Sequence, residues 1–324
     1  MKSSIILSLL LFVVPAWLLD FTKDKRVVFA SLSYYGADFD GDKKGDLSVW
    51  DSKNNTLYFQ LTSDNKFYSK RFFDNSLRHE PVFADYDGDG KTDFVFFQPD
   101  SGEWTLNLTT NLGYPEKIFI GSIGDLPIPT DLDGDGKYDI SLWRPIASSW
   151  LLNVKDEQGN KKLSTIQEGS YQDSAFACDY DGDGKSDLGV WRPDDGYWHI
   201  VKSSTKFNFP ESEHIQHGQE WDVIVPNDYN LDQKADLVFW RPQTQTWYFI
   251  YAGNKNQNQI KFGEKNDIPI SLDLDGDKIP ELITWNASKK SWNVLNFTKQ
   301  ESFSYKWVVP DDCYPASSVL QKYE

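Results

Sequence analysis

An all-β, six-bladed propeller is the fold this sequence predicts, and three observations predict it. A short acidic loop recurs six times, starting at Asp38, Asp85, Asp131, Asp179, Asp228 and Asp273. The starts lie 47, 46, 48, 49 and 45 residues apart, a near-constant period that marks a repeat architecture. Each period also holds runs of 4 to 6 residues rich in Val, Ile, Phe, Trp and Tyr, bounded by Gly, Pro, Asp and Ser. Such runs read as strands and not as helices.

The elements follow in order within each period. In the second, strand one lies near 81–85, the acidic loop at 85–93, strand two near 94–99, strand three near 104–109 and strand four near 115–121. Four strands per period of this size describe a propeller blade. Strand two often ends in Trp-Arg-Pro, as at Trp143-Arg144-Pro145, Trp191-Arg192-Pro193 and Trp240-Arg241-Pro242. A second aromatic follows a few turn residues later: Trp104, Trp150, Trp198, Trp247 and Trp292, with Tyr58 in the first copy. The repeats run over about 30–80, 81–126, 127–174, 175–221, 222–268 and 269–320, as one domain spanning 27–320.

Ring closure can be read from the ends. Val27 to Ala30 aligns with a strand-four segment, and the tail 314–320 aligns with a strand one. Nothing between them supplies strands two and three of another blade. Six blades are therefore expected, with seven as the alternative and both termini at one seam, because a propeller leaves no sheet edge unpaired at its closure.

The loops carry the chemistry. Carboxylates stand at positions 1, 3, 5 and 9: Asp38, Asp40, Asp42 and Asp46, then Asp85, Asp87, Asp89 and Asp93, then Asp131, Asp133, Asp135 and Asp139, then Asp179, Asp181, Asp183 and Asp187. The fifth loop offers Asp228, Asn230, Asp232 and Asp236, and the sixth Asp273, Asp275, Asp277 and Glu281. Position 7 offers a backbone carbonyl from Lys44, Lys91, Lys137, Lys185, Lys234 or Ile279. An all-oxygen set with several carboxylates suits a hard cation, calcium first, and up to six ions are expected. The alternative is a set of acidic turns without metal. An EF-hand is excluded, since its loop ends in a twelfth-position Glu between helices, whereas Phe96, Leu142 and Val190 stand there. The second, third and fourth copies are complete. The first and sixth have Lys43 and Lys278 in place of a glycine, and the fifth loses one carboxylate and both glycines, so it is expected to be the weakest.

Composition agrees. The formal charge is −16, and six divalent ions would bring it to −4. Such acidity argues against a nucleic-acid partner. At the N-terminus, Lys2 precedes an apolar run from Ile5 to Val14 and then Pro15-Ala16. Residues 1–19 therefore read as a secretory signal peptide, with a short uncleaved anchor as the alternative. An exported protein follows, extracellular, cell-surface or periplasmic, with no stable membrane span after cleavage. Millimolar calcium outside cells would fill even weak sites.

The loop Asp-x-Asp-Gly-Asp-Gly-Lys-x-Asp, recurring at this period with a following Trp-Arg-Pro, resembles the FG-GAP or VCBS repeats, of which the N-terminal propeller of integrin α subunits is the best-known relative. The resemblance covers about 27–310. It implies calcium in the hairpin between strands one and two of each blade, on one face of the disc, and ligands docking on the opposite face. No integrin stalk or membrane-spanning segment follows the repeats.

Other residues are read against blander roles. Most of the 13 Trp recur at fixed blade positions and are expected to pack between blades. Arg144, Arg192 and Arg241 are expected to form inter-blade ion pairs. His214 and His217 fall on opposite faces of a strand and form no metal set. Cys178 is expected to be a buried thiol, with a Cys178–Cys313 disulfide as the alternative. Asn54, Asn107, Asn286 and Asn296 head glycosylation sequons. No nucleophile elbow, phosphate loop or Cys/His pairing is present, so no enzyme is expected. The sequence thus reads as an exported, calcium-stabilised binding or adhesion module for an extracellular protein or glycan. A carbohydrate-binding lectin is the alternative, and an extracellular polysaccharide-acting enzyme is less favoured.

Overall fold

Six four-stranded antiparallel sheets make up the ring, as described by a computed structural model that covers residues 26–31, 37–155, 160–253, 257–316 and 318–323. The segment read as a signal peptide lies outside the described residues. The second blade is built from Glu80–Pro81, Phe94–Gln98, Glu103–Asn107 and Glu116–Phe119, and the third from Leu126–Pro127, Ser141–Arg144, Ser149–Lys155 and Lys161–Gln167. The fourth holds Ser174–Cys178, Asp187–Arg192, Tyr197–Val201 and Glu213–Gln216. The fifth holds Val223–Ile224, Leu237–Arg241, Thr246–Ile250 and Gln257–Lys261, and the sixth Ile268–Leu272, Glu281–Asn286, Ser291–Asn296 and Glu301–Lys306.

The first blade joins both parts of the chain. Leu47–Asp51, Thr56–Gln60 and Phe67–Arg71 supply strands two to four, and Tyr314–Pro315 from the C-terminal end supplies strand one. The tail thus closes the ring as its alignment with a strand one anticipates, through Val49↔Pro315 and Trp50↔Tyr314. The N-terminal segment does not share that sheet. Arg26–Ser31 instead pairs antiparallel with Ser318–Tyr323 as a two-stranded ribbon. This ribbon lies against the first strands of the third, fourth, fifth and sixth blades, and so occupies the central channel that those strands surround.

Burial grades outward across each sheet. First and second strands are almost wholly buried, while the fourth strands Phe67–Arg71 and Glu301–Lys306 are exposed along their full length. Six apolar clusters fill the six seams between blades, each combining residues of two neighbours. Between the third and fourth blades, for example, Trp143, Trp150 and Leu152 meet Ala175, Leu188 and Val190.

The repeated aromatics form this filling. Directly opposed pairs are Phe97↔Trp104, Trp143↔Trp150, Trp191↔Trp198, Trp240↔Trp247 and Trp285↔Trp292. Each of these nine Trp is under 2% exposed. In the first blade the partner of Trp50 is Leu57, one residue before the Tyr58 read from the sequence. Strand side chains alternate faces, so Tyr58 belongs to the other side of the sheet.

The arginines fasten the chain where it passes from blade to blade. Arg192 grips Asp173 through Nε at 3.0 Å and Nη2 at 2.9 Å, and Arg241 grips Asp222 with both contacts at 2.8 Å. Arg144 reaches Asp125 at 3.0 Å. Each aspartate stands just before the first strand of the arginine's own blade, so the pair fixes the incoming link and does not bridge two sheets. In the sixth blade Asn286 and Thr284 hold Asp267 in the same way, both at 2.7 Å.

Cys178 and Cys313 are both buried free thiols, and no disulfide joins them. Two of the four sequon asparagines, Asn286 at 5% and Asn296 at 6% exposure, are too buried to offer their amides to a glycosylating enzyme.

Candidate metal-binding face

Five of the acidic loops join strand one to strand two of their blades, and the first leads into strand two of the blade whose strand one comes from the tail, which places all six together on one face of the disc. Their backbones share one shape. Positions 4 and 6 are left-handed throughout, from Gly88 at φ 78° and Gly90 at φ 83° to Leu231 at φ 62° and Gln233 at φ 68°. Glycine adopts this region freely, whereas a leucine there is strained. The fifth loop therefore keeps the fold of its neighbours at a conformational cost.

The carboxylates organise each loop from within. In the second loop, Asp85 accepts the amides of Gly88 at 2.6 Å and Gly90 at 2.9 Å. Asp87 accepts from Asp89 N–H at 3.2 Å, and Asp89 from Lys91 N–H at 2.9 Å. Asp93, at the start of strand two, accepts from Tyr86 N–H at 2.8 Å and from Thr109 N–H at 2.7 Å. The pattern repeats in the fourth loop with Asp179, Asp181, Asp183 and Asp187.

Three carboxylates converge in five loops, with one oxygen of each within 4.8 Å of the others: Asp38, Asp40 and Asp42; Asp85, Asp87 and Asp93; Asp131, Asp133 and Asp139; Asp179, Asp181 and Asp187; Asp273, Asp275 and Asp277. Among the described residues no such triad forms in the fifth loop, where Asn230 replaces a carboxylate and turns its amide toward Asp236 at 3.4 Å. The donor set of the five is all oxygen and mostly anionic, which fits a hard divalent cation such as calcium.

Burial makes the crowding costly. The position-9 carboxyls are pushed up, chiefly by desolvation, to about 7 at Asp46, Asp236 and Glu281 and to about 6 at Asp93, Asp139 and Asp187. The position-1 groups Asp38, Asp131, Asp179 and Asp273 are also raised by burial, against the amides that bond them. A cation between these groups would oppose both effects.

The sequence reading missed a second layer above the loops. The connections between strands three and four turn hydroxyls onto positions 3 and 5. Thr110 reaches Asp87 at 2.5 Å and Thr109 reaches Asp89 at 2.6 Å, while Ser203 reaches Asp183 at 2.8 Å and Ser204 bonds Asp181. Ser63 bonds Asp40 in the first blade. The signal was present: Thr62, Thr109 and Ser203 each lie 16 residues beyond their position-9 aspartate. Two loops use an ammonium group instead. Lys155 bonds Asp133 at 2.8 Å and Asp135 at 2.7 Å, and Lys299 bonds Asp275 and lies 3.3 Å from Asp277.

Adjacent loops are also tied to one another. The position-8 amide of one loop donates to the position-1 carbonyl of the loop before it: Thr92 to Asp38 at 2.6 Å, Tyr138 to Asp85 at 2.9 Å, Ser186 to Asp131 at 2.7 Å, Ala235 to Asp179 at 2.6 Å, and Gly45 to Asp273 at 2.6 Å across the closure. The position-7 lysines, named from the sequence only for their carbonyls, lay their side chains over the preceding loop. A Cβ on Gly88 would meet Lys137 at 3.0 Å, and one on Gly41 would meet Lys91 at 3.1 Å. At the remaining seam position 8 is Pro280, which has no N–H to give, and Leu231 and Ile279 replace the glycine and the lysine.

An FG-GAP-like repeat is matched over residues 38–96, which holds the first two acidic loops and the strands between them. The chain fits an FG-GAP-repeat β-propeller. No curated protein matches it significantly. Among solved structures it is similar to a lectin from Agrocybe aegerita that recognises non-reducing terminal N-acetylglucosamine, at 15% identity and TM-score 0.57 over 91% of this chain and 80% of the lectin. It is also similar to a streptogramin B lyase, at 10% identity and TM-score 0.52 over 93% and 97%. A virginiamycin B lyase from Staphylococcus aureus matches at 12% identity and TM-score 0.51 over 89% and 90%. At these identities the likeness concerns the propeller fold alone. No helix among the described residues of this propeller is long and apolar enough to cross a membrane.

Proposed function

We propose that this chain is an exported, calcium-stabilised binding module whose ligand docks on the face opposite the acidic loops. The observation that carries the reading is where the exposed apolar side chains fall. In an antiparallel blade the links between blades and the turns between strands two and three share the face away from the acidic loops. Leu77, Ile123, Tyr171, Trp221 and Val308 lie in those links and Ile146 in such a turn, all 47% to 93% exposed. Leu112, Tyr114 and Leu231 are exposed on the acidic side, so the opposite face carries the larger share of such loop residues, and an exposed apolar patch of this kind marks an interaction surface. The acidic face takes calcium and keeps the disc rigid, and its ligands are the loop residues named above.

An extracellular protein fits this apolar face better than a glycan does. Sugar-stacking shelves repeated around the ring would need exposed Trp in several blades, and Trp221 is the exposed one among the described Trp. An enzyme with its site over the central channel is less favoured, because the terminal ribbon lies in that channel. Binding of labelled protein to intact cells, with and without prior surface proteolysis, and to a glycan array tests the reading. Protease-sensitive binding that is lost in Trp221→Ser and Ile146→Ser supports it. Glycan-array binding that survives both substitutions overturns it.

A further inference from the structure

We propose that His199 and His214 form a two-imidazole site for a borderline-soft divalent ion, zinc in the first instance, on the rim of the fourth blade and separate from the acidic loops. The two residues stand directly opposite one another on strands three and four of that blade. Directly opposed positions on an antiparallel pair bring side chains into contact on one face. Here they bring Nδ1 of His199 to 2.7 Å from Nδ1 of His214. The rings meet edge-on, at 75° between planes and 4.8 Å between centroids.

The remaining nitrogens prepare this arrangement. Nε2 of His214 lies 3.0 Å from the Ser212 hydroxyl, which can accept its N–H. With the bond in that direction, the Nδ1 lone pair of His214 faces His199. A hydrogen bond from the far nitrogen is how a metal-bound imidazole is normally oriented. Nε2 of His199 is buried and has no partner, so the proton shared by the two Nδ1 atoms is the contact that now satisfies the pair. An ion bound by both Nδ1 atoms displaces the proton from Nδ1 of His199, which is taken up at Nε2 of the same ring, so both rings bind as neutral imidazoles. Tetrahedral zinc holds nitrogens at roughly 2.0–2.1 Å, which sets them about 3.3 Å apart, so the two nitrogens need to part by about 0.6 Å and each ring to turn its lone pair toward the shared centre. His214 is exposed, so the ion enters from solvent and water completes its coordination.

Ligand type separates this site from the loops. Imidazole nitrogen suits zinc, copper and nickel, whereas carboxylate oxygen suits calcium. Arg192, whose charge acts on His199, is gripped by both oxygens of Asp173, which offsets its repulsion of an incoming cation.

Calorimetric titration of zinc into the full chain, in millimolar calcium to fill the loops, tests the assignment. The expected result is one zinc site that excess calcium does not displace and that His214→Ala weakens by about tenfold or more. His214→Gln should weaken it equally, with an unchanged thermal midpoint in calcium for both variants. Absence of a zinc site in the parent, undiminished binding in both variants, or displacement by calcium overturns the proposal.

Discussion

The amide of Thr92 donates to the carbonyl of Asp38 across 2.6 Å, so the second acidic loop is bonded to the first through the very residue that opens its ligand set. The same bond recurs at four other seams. Loss of shape in one loop is therefore felt by its neighbour, and the acidic face behaves as a belt.

Chelation should accordingly destabilise the whole disc. A cation that binds only the folded state stabilises it by RT ln(1 + [L]/Kd), which is about 2.7 kcal/mol at a hundredfold excess over Kd. Thermal melts with calcium and with chelator measure this, and the expected result is a midpoint several degrees lower without calcium. An unchanged midpoint would rule out structural calcium.

The loops should contribute unequally. Asp181→Ala removes a member of a converging triad, whereas Asp232→Ala alters a loop in which none forms. The first should lower stability in calcium by about 1–3 kcal/mol more than the second, the scale of a lost charged contact. Denaturant unfolding of both variants, in calcium and in chelator, decides it, and the gap should close once calcium is gone.

The metal-free protein should lose stability as pH rises from about 4 to about 7. The position-9 carboxyls are raised by burial, to about 7 at Asp46 and Glu281 and about 6 at Asp93. The folded state therefore binds more protons than the unfolded chain over this window, and stability falls with rising pH. Calcium should reverse the trend, because it binds the deprotonated form. Melting midpoints across this range in chelator and in calcium would show opposite slopes, and parallel slopes would refute the assignment.

Two truncations should separate the roles of the tail. Deleting 311–324 removes Tyr314–Pro315, strand one of the first blade, and opens the ring. Deleting 318–324 removes only the C-terminal half of the channel ribbon. The shorter deletion should melt close to the parent and the longer one far below it. Equal midpoints would show that ring closure does not depend on this strand.

The period, the loops and the aromatic positions were legible in the sequence because each is local and recurs. Four-strand blades and closure by the tail followed from them. The partners of Arg144, Arg192 and Arg241 were missed, although Asp125, Asp173 and Asp222 each lie 19 residues upstream and four residues after a Gly, because the pairing spans a whole loop and strand. The Trp50–Leu57 pairing was misread by one position because Tyr58 offered the expected residue type on the wrong face. His199 and His214 escaped notice because only strand register brings them together. Lys155 and Lys299 were invisible for the same reason, reaching back to carboxylates 20 to 24 residues earlier.

Pro280 gives the belt an ending. A closed hoop of hydrogen bonds has a fixed circumference and can widen only by rupturing one of its links. A hoop cut once is a split washer: its two ends can part and return while every link along its length survives. The cut here falls between the fifth and sixth blades, beside the loop already strained at Leu231. What holds the two ends of the washer together there is the apolar filling of that seam and the Asn227 amide, which donates to the Ser271 hydroxyl at 3.1 Å.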